Sequence, residues 1–306
     1  MGTGQSRRNA LKTMITGSAI LGLSSAMPSY AAERGLSDTP LKSDALSDRK
    51  APLKGNVKHS VCRWCFSDIE LDEFCIAVKG MGLKAIDLVG PAEWPVLKKH
   101  GLYSSMCNGA EINLTDGWND KTFHPKLIEN YTKMIPLVAE AGYKNLICFS
   151  GSRRGKTDEE GWNNCVEGLK QVIKLAEQHN VVLVMELLNS KIDHKDYQCD
   201  HTAWGAELAK RLGSENFKLL YDIYHMQVDE GDVIHNIRTY HPYIAHYHTA
   251  GVPGRNEIDD TQELFYPAII KAILATGFKG YIAQEFIPKQ KDKLQSLRNA
   301  IKICDL

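Results

Sequence analysis

The chain has 306 residues, of which 43% are hydrophobic, and its 37 basic side chains are matched by 37 acidic ones. That balance leaves no cationic excess to neutralise a phosphate backbone, so nucleic acid is excluded as the expected partner.

In chain order, the first feature is Ser6-Arg7-Arg8-Asn9-Ala10-Leu11-Lys12, followed by a mildly apolar run from Met14 to Leu23 and small residues through Ala31-Ala32. This order matches a twin-arginine export signal over residues 1–32, which predicts a periplasmic or otherwise exported protein. The run is too short and too rich in Gly, Ser and Thr for a stable membrane anchor. Its removal takes away Arg7, Arg8 and Lys12 and no acid, which leaves 34 basic against 37 acidic residues. Residues 33–55, with Gly35, Pro40, Pro52 and Gly55 among alternating charges, read as a linker. Residues 56–306 then form one domain.

Within that domain, eight short β-branched or apolar runs fall near 57–62, 84–89, 102–107, 144–149, 181–187, 217–223, 244–249 and 280–285. Helical patterns lie between them, such as Pro125 to Ala141 and Trp162 to His179, where Val166, Leu169, Val172, Ile173 and Ala176 recur at helical steps. Gly82, Gly101, Gly142, Gly213 and Gly277 each stand before a strand-like run, where a left-handed cap would turn the chain back. Eight strands alternating with helices predict an α/β fold, a (βα)8 TIM barrel. No Gly-x-Gly-x-x-Gly follows the first strand to suggest a dinucleotide fold. The eight cysteines at 62, 65, 75, 107, 148, 165, 199 and 304 do not read as a disulfide framework, because several sit inside apolar strands and a core of this size needs no staples.

All strands of such a barrel point the same way, so polar residues at their C-terminal ends converge on one mouth. Four successive strands end unusually: the fifth with Glu186, the sixth with Asp222, the seventh with His246-Tyr247-His248, and the eighth with Glu285. Desolvating an unpaired carboxylate costs several kcal/mol, so three around one axis require cations. One divalent ion held by Glu186, Asp222, His248 and Glu285 answers that requirement. Three oxygens and one nitrogen suit Mn2+, with Mg2+, Co2+ or Zn2+ as alternatives. Period-two alternation puts both histidines on one face, with His248 nearer the mouth and His246 deeper.

Tyr221-Asp222-Ile223-Tyr224-His225-Met226-Gln227, His246-Tyr247-His248, Gly251-Val252-Pro253-Gly254-Arg255-Asn256-Glu257 and Ala283-Gln284-Glu285 together resemble the xylose isomerase-like barrels, which include hydroxypyruvate isomerase and the ketose 3-epimerases. The resemblance covers about residues 56 to 290. It implies that Glu186, Asp222, His248 and Glu285 hold the metal and that Glu186 and Glu285 are the acid/base pair on opposite sides of the substrate. It also implies that His225 and Arg255 contact substrate oxygens. His248 stands where hydroxypyruvate isomerases often carry glutamine and so looks epimerase-like, whereas the Pro253-Gly254-Arg255 turn looks isomerase-like.

The chemistry of the residues agrees with that resemblance. A divalent ion beside a carbonyl stabilises the enediolate that forms when the neighbouring carbon loses a proton to a glutamate. Return of the proton to the adjacent carbon isomerises a small sugar or keto acid, and return to the other face of the same carbon epimerises it. Elimination after the same step would instead make a lyase or hydratase acting on an oxidised sugar or glycoside. Trp64 and Trp118 are candidate aromatic walls, and Asn108 and Asn189 are candidate hydrogen-bonding residues for the substrate. A homo-oligomer is compatible with all of this.

Overall fold

A computed structural model describes residues 52–306; the expected twin-arginine signal and all but the last four residues of the expected linker lie outside the described residues. The eight strands are β1 (Lys58–Val61), β2 (Ala85–Val89), β3 (Tyr103–Cys107), β4 (Asn145–Cys148), β5 (Val182–Glu186), β6 (Phe217–Asp222), β7 (Ile244–Thr249) and β8 (Tyr281–Gln284). The helices are α1 (Leu71–Gly80), α2 (Trp94–Lys99), α3 (His124–Glu140), α4 (Asp158–Gln178), α5 (Thr202–Leu212), α6 (Ile223–Asp229), α7 (Val233–Tyr240), α8 (Tyr266–Ala275) and α9 (Lys293–Cys304). No described helix is long and apolar enough to cross a membrane.

All strand pairs are parallel, in the order β1-β8-β7-β6-β5-β4-β3-β2, and a single bridge between Cys62 and Asp87 joins β1 to β2. The ring is thus a nearly closed TIM barrel, and each strand lies within a residue or two of the run expected from the sequence. Pairing puts Asp222 level with His248, and His248 level with Ala283, so the acidic and imidazole strand ends reach one height.

The helices cover the sheet for the reason their periodicity gives. In α4, Cys165, Leu169, Val172, Ile173 and Ala176 are buried and Val166 packs partly against them. Of these, Leu169, Val172 and Ile173 each contribute about 1.5–3 kcal/mol when fully removed from water. The five glycines read as helix stops all have positive φ, between 68° and 90°. Gly213 shows the cap in full: at φ 70° its N–H donates to the Ala209 carbonyl.

Eight buried cysteines remain free, in keeping with a core that needs no cross-link. The last residues of the expected linker belong to the folded body. The Lys54 amide donates to Asp305 and the Asn56 side-chain amide to the Leu306 carbonyl, which ties the start of the described chain to its end.

Helix α4 starts four residues before the run read from its apolar period, because Thr157 and Glu160 form a reciprocal capping box there. Thr157→Ala should cost about 1 kcal/mol. Thermal unfolding should show a fall in Tm of about 2–4 °C for a domain of this size; an unchanged Tm would mean that the box adds nothing.

Candidate active site

Glu186, Asp222, His248 and Glu285 converge at the C-terminal mouth of the barrel, with one donor atom from each lying within 4.8 Å of all the others, and all four are buried. His248 Nδ1 is 2.9 Å from Glu285 Oε2 and 3.2 Å from Glu186 Oε1. Glu186 Oε1 has no hydrogen-bond partner despite being buried. An orphaned carboxylate oxygen among two further acids and an imidazole is a donor set that fits a divalent cation.

Local structure aims each of these groups. Asp222 ends β6 and at once caps α6, its Oδ1 accepting from the amides of Tyr224 (2.8 Å) and His225 (3.2 Å), which leaves Oδ2 for the site. His225 therefore sits in the first turn of α6. Its Nδ1 accepts from the Asn189 amide (3.2 Å) and side-chain Nδ2 (2.6 Å), so the ring proton is on Nε2. That Nε2 lies 3.7 Å from Asp222 Oδ2 with no hydrogen-bond partner. Burial, reinforced by the Arg255 charge, pushes the His225 imidazole well down, so it is a neutral donor facing the site.

Arg255 projects from the turn after β7 at a left-handed φ of 59°. Its guanidinium is 2.5 Å from Glu285 Oε2 and 3.4 Å from Asp222 Oδ2. The rings of Trp64 and Tyr224 flank it at 5.3 and 5.6 Å. Trp64 is 40% exposed, and its indole N–H donates to Glu285 Oε1 at 2.9 Å.

The charges are unevenly compensated. Burial pushes the Glu186 carboxyl up, and the Glu285 charge adds to this. Burial also pushes Asp222 well up, against the pull of Arg255. For Glu285, burial is outweighed by Arg255 and His248, which hold its carboxyl well below the usual range. A bound divalent cation would favour the ionised form of all three.

Other expected site residues are placed differently. Asn189 is fully buried and its amide is taken up by His225, Asp193 and the backbone of Ile192 and Asp193, so it orients His225 and its loop. Asn108, half-buried after β3, has Oδ1 3.3 Å from where a β-carbon on Gly90 would lie and is not among the four converging groups. Trp118 does not wall the mouth. The loop after β3 is held against the end of β4 by Trp118 N–H to Phe149 O and Asn119 N–H to Ser150 O. Gly117 approaches so closely that a β-carbon would lie 2.4 Å from the Gly151 nitrogen. Trp118 is consequently turned inward, with no exposed surface, against His124 and Tyr131.

Sequence reasoning missed Asp87. It is fully buried, 3.0 Å from His248 Nε2 and 2.8 Å from His246 Nε2. Burial works against its ionisation, but His246 and His248 hold its carboxyl well below the usual range. The cue was present: Ala85-Ile86-Asp87-Leu88-Val89 puts an acid inside an apolar strand, the same signal that marked Glu186.

A parallel eight-stranded barrel with acids and imidazoles gathered at its mouth defines a class, and comparison with known proteins supplies the family. Residues 95–303 match the profile of the xylose isomerase-like TIM barrel family, and the chain belongs to that family. A putative hydroxypyruvate isomerase of Homo sapiens is 30% identical over 124 residues, 40% of this chain and 45% of that protein. The D-psicose 3-epimerase of Ruminiclostridium cellulolyticum is 26% identical over 231 residues, 72% of this chain and 69% of that one. Among solved structures, an AP endonuclease of family 2 from Brucella melitensis superposes with a TM-score of 0.70 at 20% identity, covering 79% of this chain and 96% of that one. That likeness concerns the fold alone. The aligned part spans about half the length of the hydroxypyruvate isomerases matched.

Arg255→Met should destabilise the chelated protein by about 3 kcal/mol at pH 8, because it leaves buried carboxylates uncompensated. Glu285, with a depressed folded pKa, gives stability that is present above its unfolded pKa and lost as pH falls. In the variant the acids have raised pKa values instead, so it regains stability as they take up protons. The gap should therefore narrow towards pH 5 in thermal denaturation at the two pH values; a gap that is constant or widens on acidification would refute this compensation.

Proposed function

We propose that the chain is a metal-dependent isomerase or epimerase of a small sugar or keto acid, working by proton transfer beside a carbonyl, with Glu186 and Glu285 as acid and base. The observation that carries this reading is the buried set of Glu186, Asp222, His248 and Glu285, together with the unpartnered Glu186 Oε1. The names of the relatives, hydroxypyruvate isomerase and D-psicose 3-epimerase, support it.

The four residues would hold one divalent cation, and three oxygens with one nitrogen favour Mn2+, with Mg2+ or Co2+ next. When bound, such an ion would supply electrophilic polarisation of a carbonyl and electrostatic stabilisation of negative charge on its oxygen. The chain's own residues do the rest. Glu186 and Glu285 come from β5 and β8, on either side of the two strands that carry Asp222 and His248, so each can address a different face of a substrate lying across the mouth. One removes the proton and one returns it. His225 Nε2–H, neutral and without a protein acceptor, donates to a substrate oxygen as charge grows there. Arg255 offers a second donor group, while Trp64 covers Glu285 and keeps bulk water from its Oε1.

Purified protein incubated in deuterated water with ketoses, aldoses, hydroxypyruvate and 3-keto-glycosides should incorporate deuterium beside a carbonyl, followed by NMR in the presence of Mg2+. Chelation should abolish exchange, and Glu186→Gln or Glu285→Gln should slow it by at least about 100-fold. The product distinguishes isomer, epimer and eliminated sugar. Normal exchange in either glutamine variant would overturn the acid/base assignment.

From the twin-arginine pattern at Arg7 and Arg8 alone, we also propose that the mature enzyme lies outside the cytoplasm. Replacing Arg7 and Arg8 with lysine should leave uncleaved precursor in the cytoplasm of a host with a twin-arginine pathway, as seen by fractionation; unchanged export would remove that assignment.

A further inference from the structure

Beneath the four converging donors lies a second cluster that the proposed reaction does not use, made of Asp87, His246, Cys62, Ser105 and Ser60. Every carboxylate oxygen of Asp87 is engaged. Oδ1 is 3.0 Å from His248 Nε2 and 3.6 Å from Cys62 Sγ, and Oδ2 is 2.6 Å from Ser105 Oγ and 2.8 Å from His246 Nε2. Ser105 Oγ is itself 2.6 Å from Ser60 Oγ, so strands β1, β2, β3 and β7 meet on this one carboxylate.

The backbone is bent to put it there. The β2–β3 register shifts on both sides of Asp87, and Leu88 takes a left-handed φ of 54°, a conformation that a branched side chain rarely adopts. Such local strain persists where the surroundings compel it. Here the bulge turns Asp87 inward beneath His248.

We propose that Asp87 is the positioning residue of the metal site, which accepts Nε2–H from His248 and so keeps the Nδ1 lone pair turned toward Glu186, Asp222 and Glu285. This rests on the reading that those four residues hold a cation. An imidazole can present either nitrogen, and the hydrogen bond made by the far nitrogen decides which one is free to ligate. Ser105 Oγ donates to the second oxygen of Asp87 at 2.6 Å and holds the carboxylate in place, while His246 Nε2 packs 2.8 Å from the same oxygen without hydrogen-bond geometry. Asp87 thereby acts through His248 and touches neither ion nor substrate.

The test is made on the purified full-length chain with calorimetric Mn2+ titration and long-range 1H–15N NMR of the histidine rings, without metal and with Zn2+ as a diamagnetic probe. In the wild type, His248 should carry a proton on Nε2 under both conditions, and Nδ1 should shift on Zn2+ addition. Asp87→Asn should weaken Mn2+ binding by about 10–100-fold and release the fixed protonation of Nε2. Asp87→Glu should recover part of the affinity. If Asp87→Asn does not fold, Ser105→Ala removes one contact to Asp87 and should weaken Mn2+ binding by a smaller factor, about threefold.

Mn2+ affinity within about twofold of wild type and an unchanged His248 ring in folded Asp87→Asn would overturn the proposal. So would two bound Mn2+ in the wild type with one lost in Asp87→Asn, since Asp87 would then be a ligand. A wild type that binds no Mn2+ would defeat the metal reading itself, and the metal-free ring spectra would still decide whether Asp87 holds His248.

Discussion

Everything at the mouth of this barrel follows from the cost of placing three carboxylates where water does not reach. Glu186, Asp222 and Glu285 are each at most 4% exposed, and like charges at such range cannot all ionise without compensation. Arg255 and His248 answer for part of it, while Glu186 Oε1, 3.2 Å from His248 Nδ1, makes no hydrogen bond. A protein selected only for stability would fill the position with aliphatic side chains, because a buried ionic cluster is at best neutral beside a well-packed apolar one. The retained acids therefore point to chemistry.

The barrel makes that concentration of charge tolerable. Its parallel strands bring successive C-terminal ends to one height, and α6 follows β6 directly, so Asp222 caps α6 with one oxygen and faces the site with the other. The same economy fixes His225, whose ring orientation is set by Asn189 from the preceding strand's exit. Below, Asp87 ties the barrel's closing strand pair to the histidine of β7, so the bridge that closes the sheet and the carboxylate that steadies His248 are the same residue. Packing of the sheet and aiming of the donors are thus one problem, solved by one set of backbone positions.

Some of the site was legible in the sequence because it rests on a contrast that local composition reveals. Glu186, Asp222 and Glu285 stand out as acids in apolar runs, and His-x-His alternation sorted a deeper from a shallower imidazole. Asp87 carried the same contrast and was passed over, since β2 contributes to the lower layer and lacks the company of neighbouring strand ends. The surroundings of Trp118 and Asn189 were not legible for another reason. Both lie on loops, and whether a loop side chain faces the mouth depends on how that loop packs: a close approach at Gly117 turned Trp118 inward, and the ring of His225 claimed the Asn189 amide.

By itself the sequence determined the number, order and parallel sense of the strands, the helix stops at glycine and the identity of the acids, because periodicity and composition are local properties. Only the tertiary structure decided which nitrogen of His225 bears its proton, that Arg255 reaches Glu285 between Trp64 and Tyr224, and that Asp87 lies under His248. Those are relations between residues separated by 30 to 200 positions, set by strand register and loop packing, and no local pattern encodes a distance across a barrel.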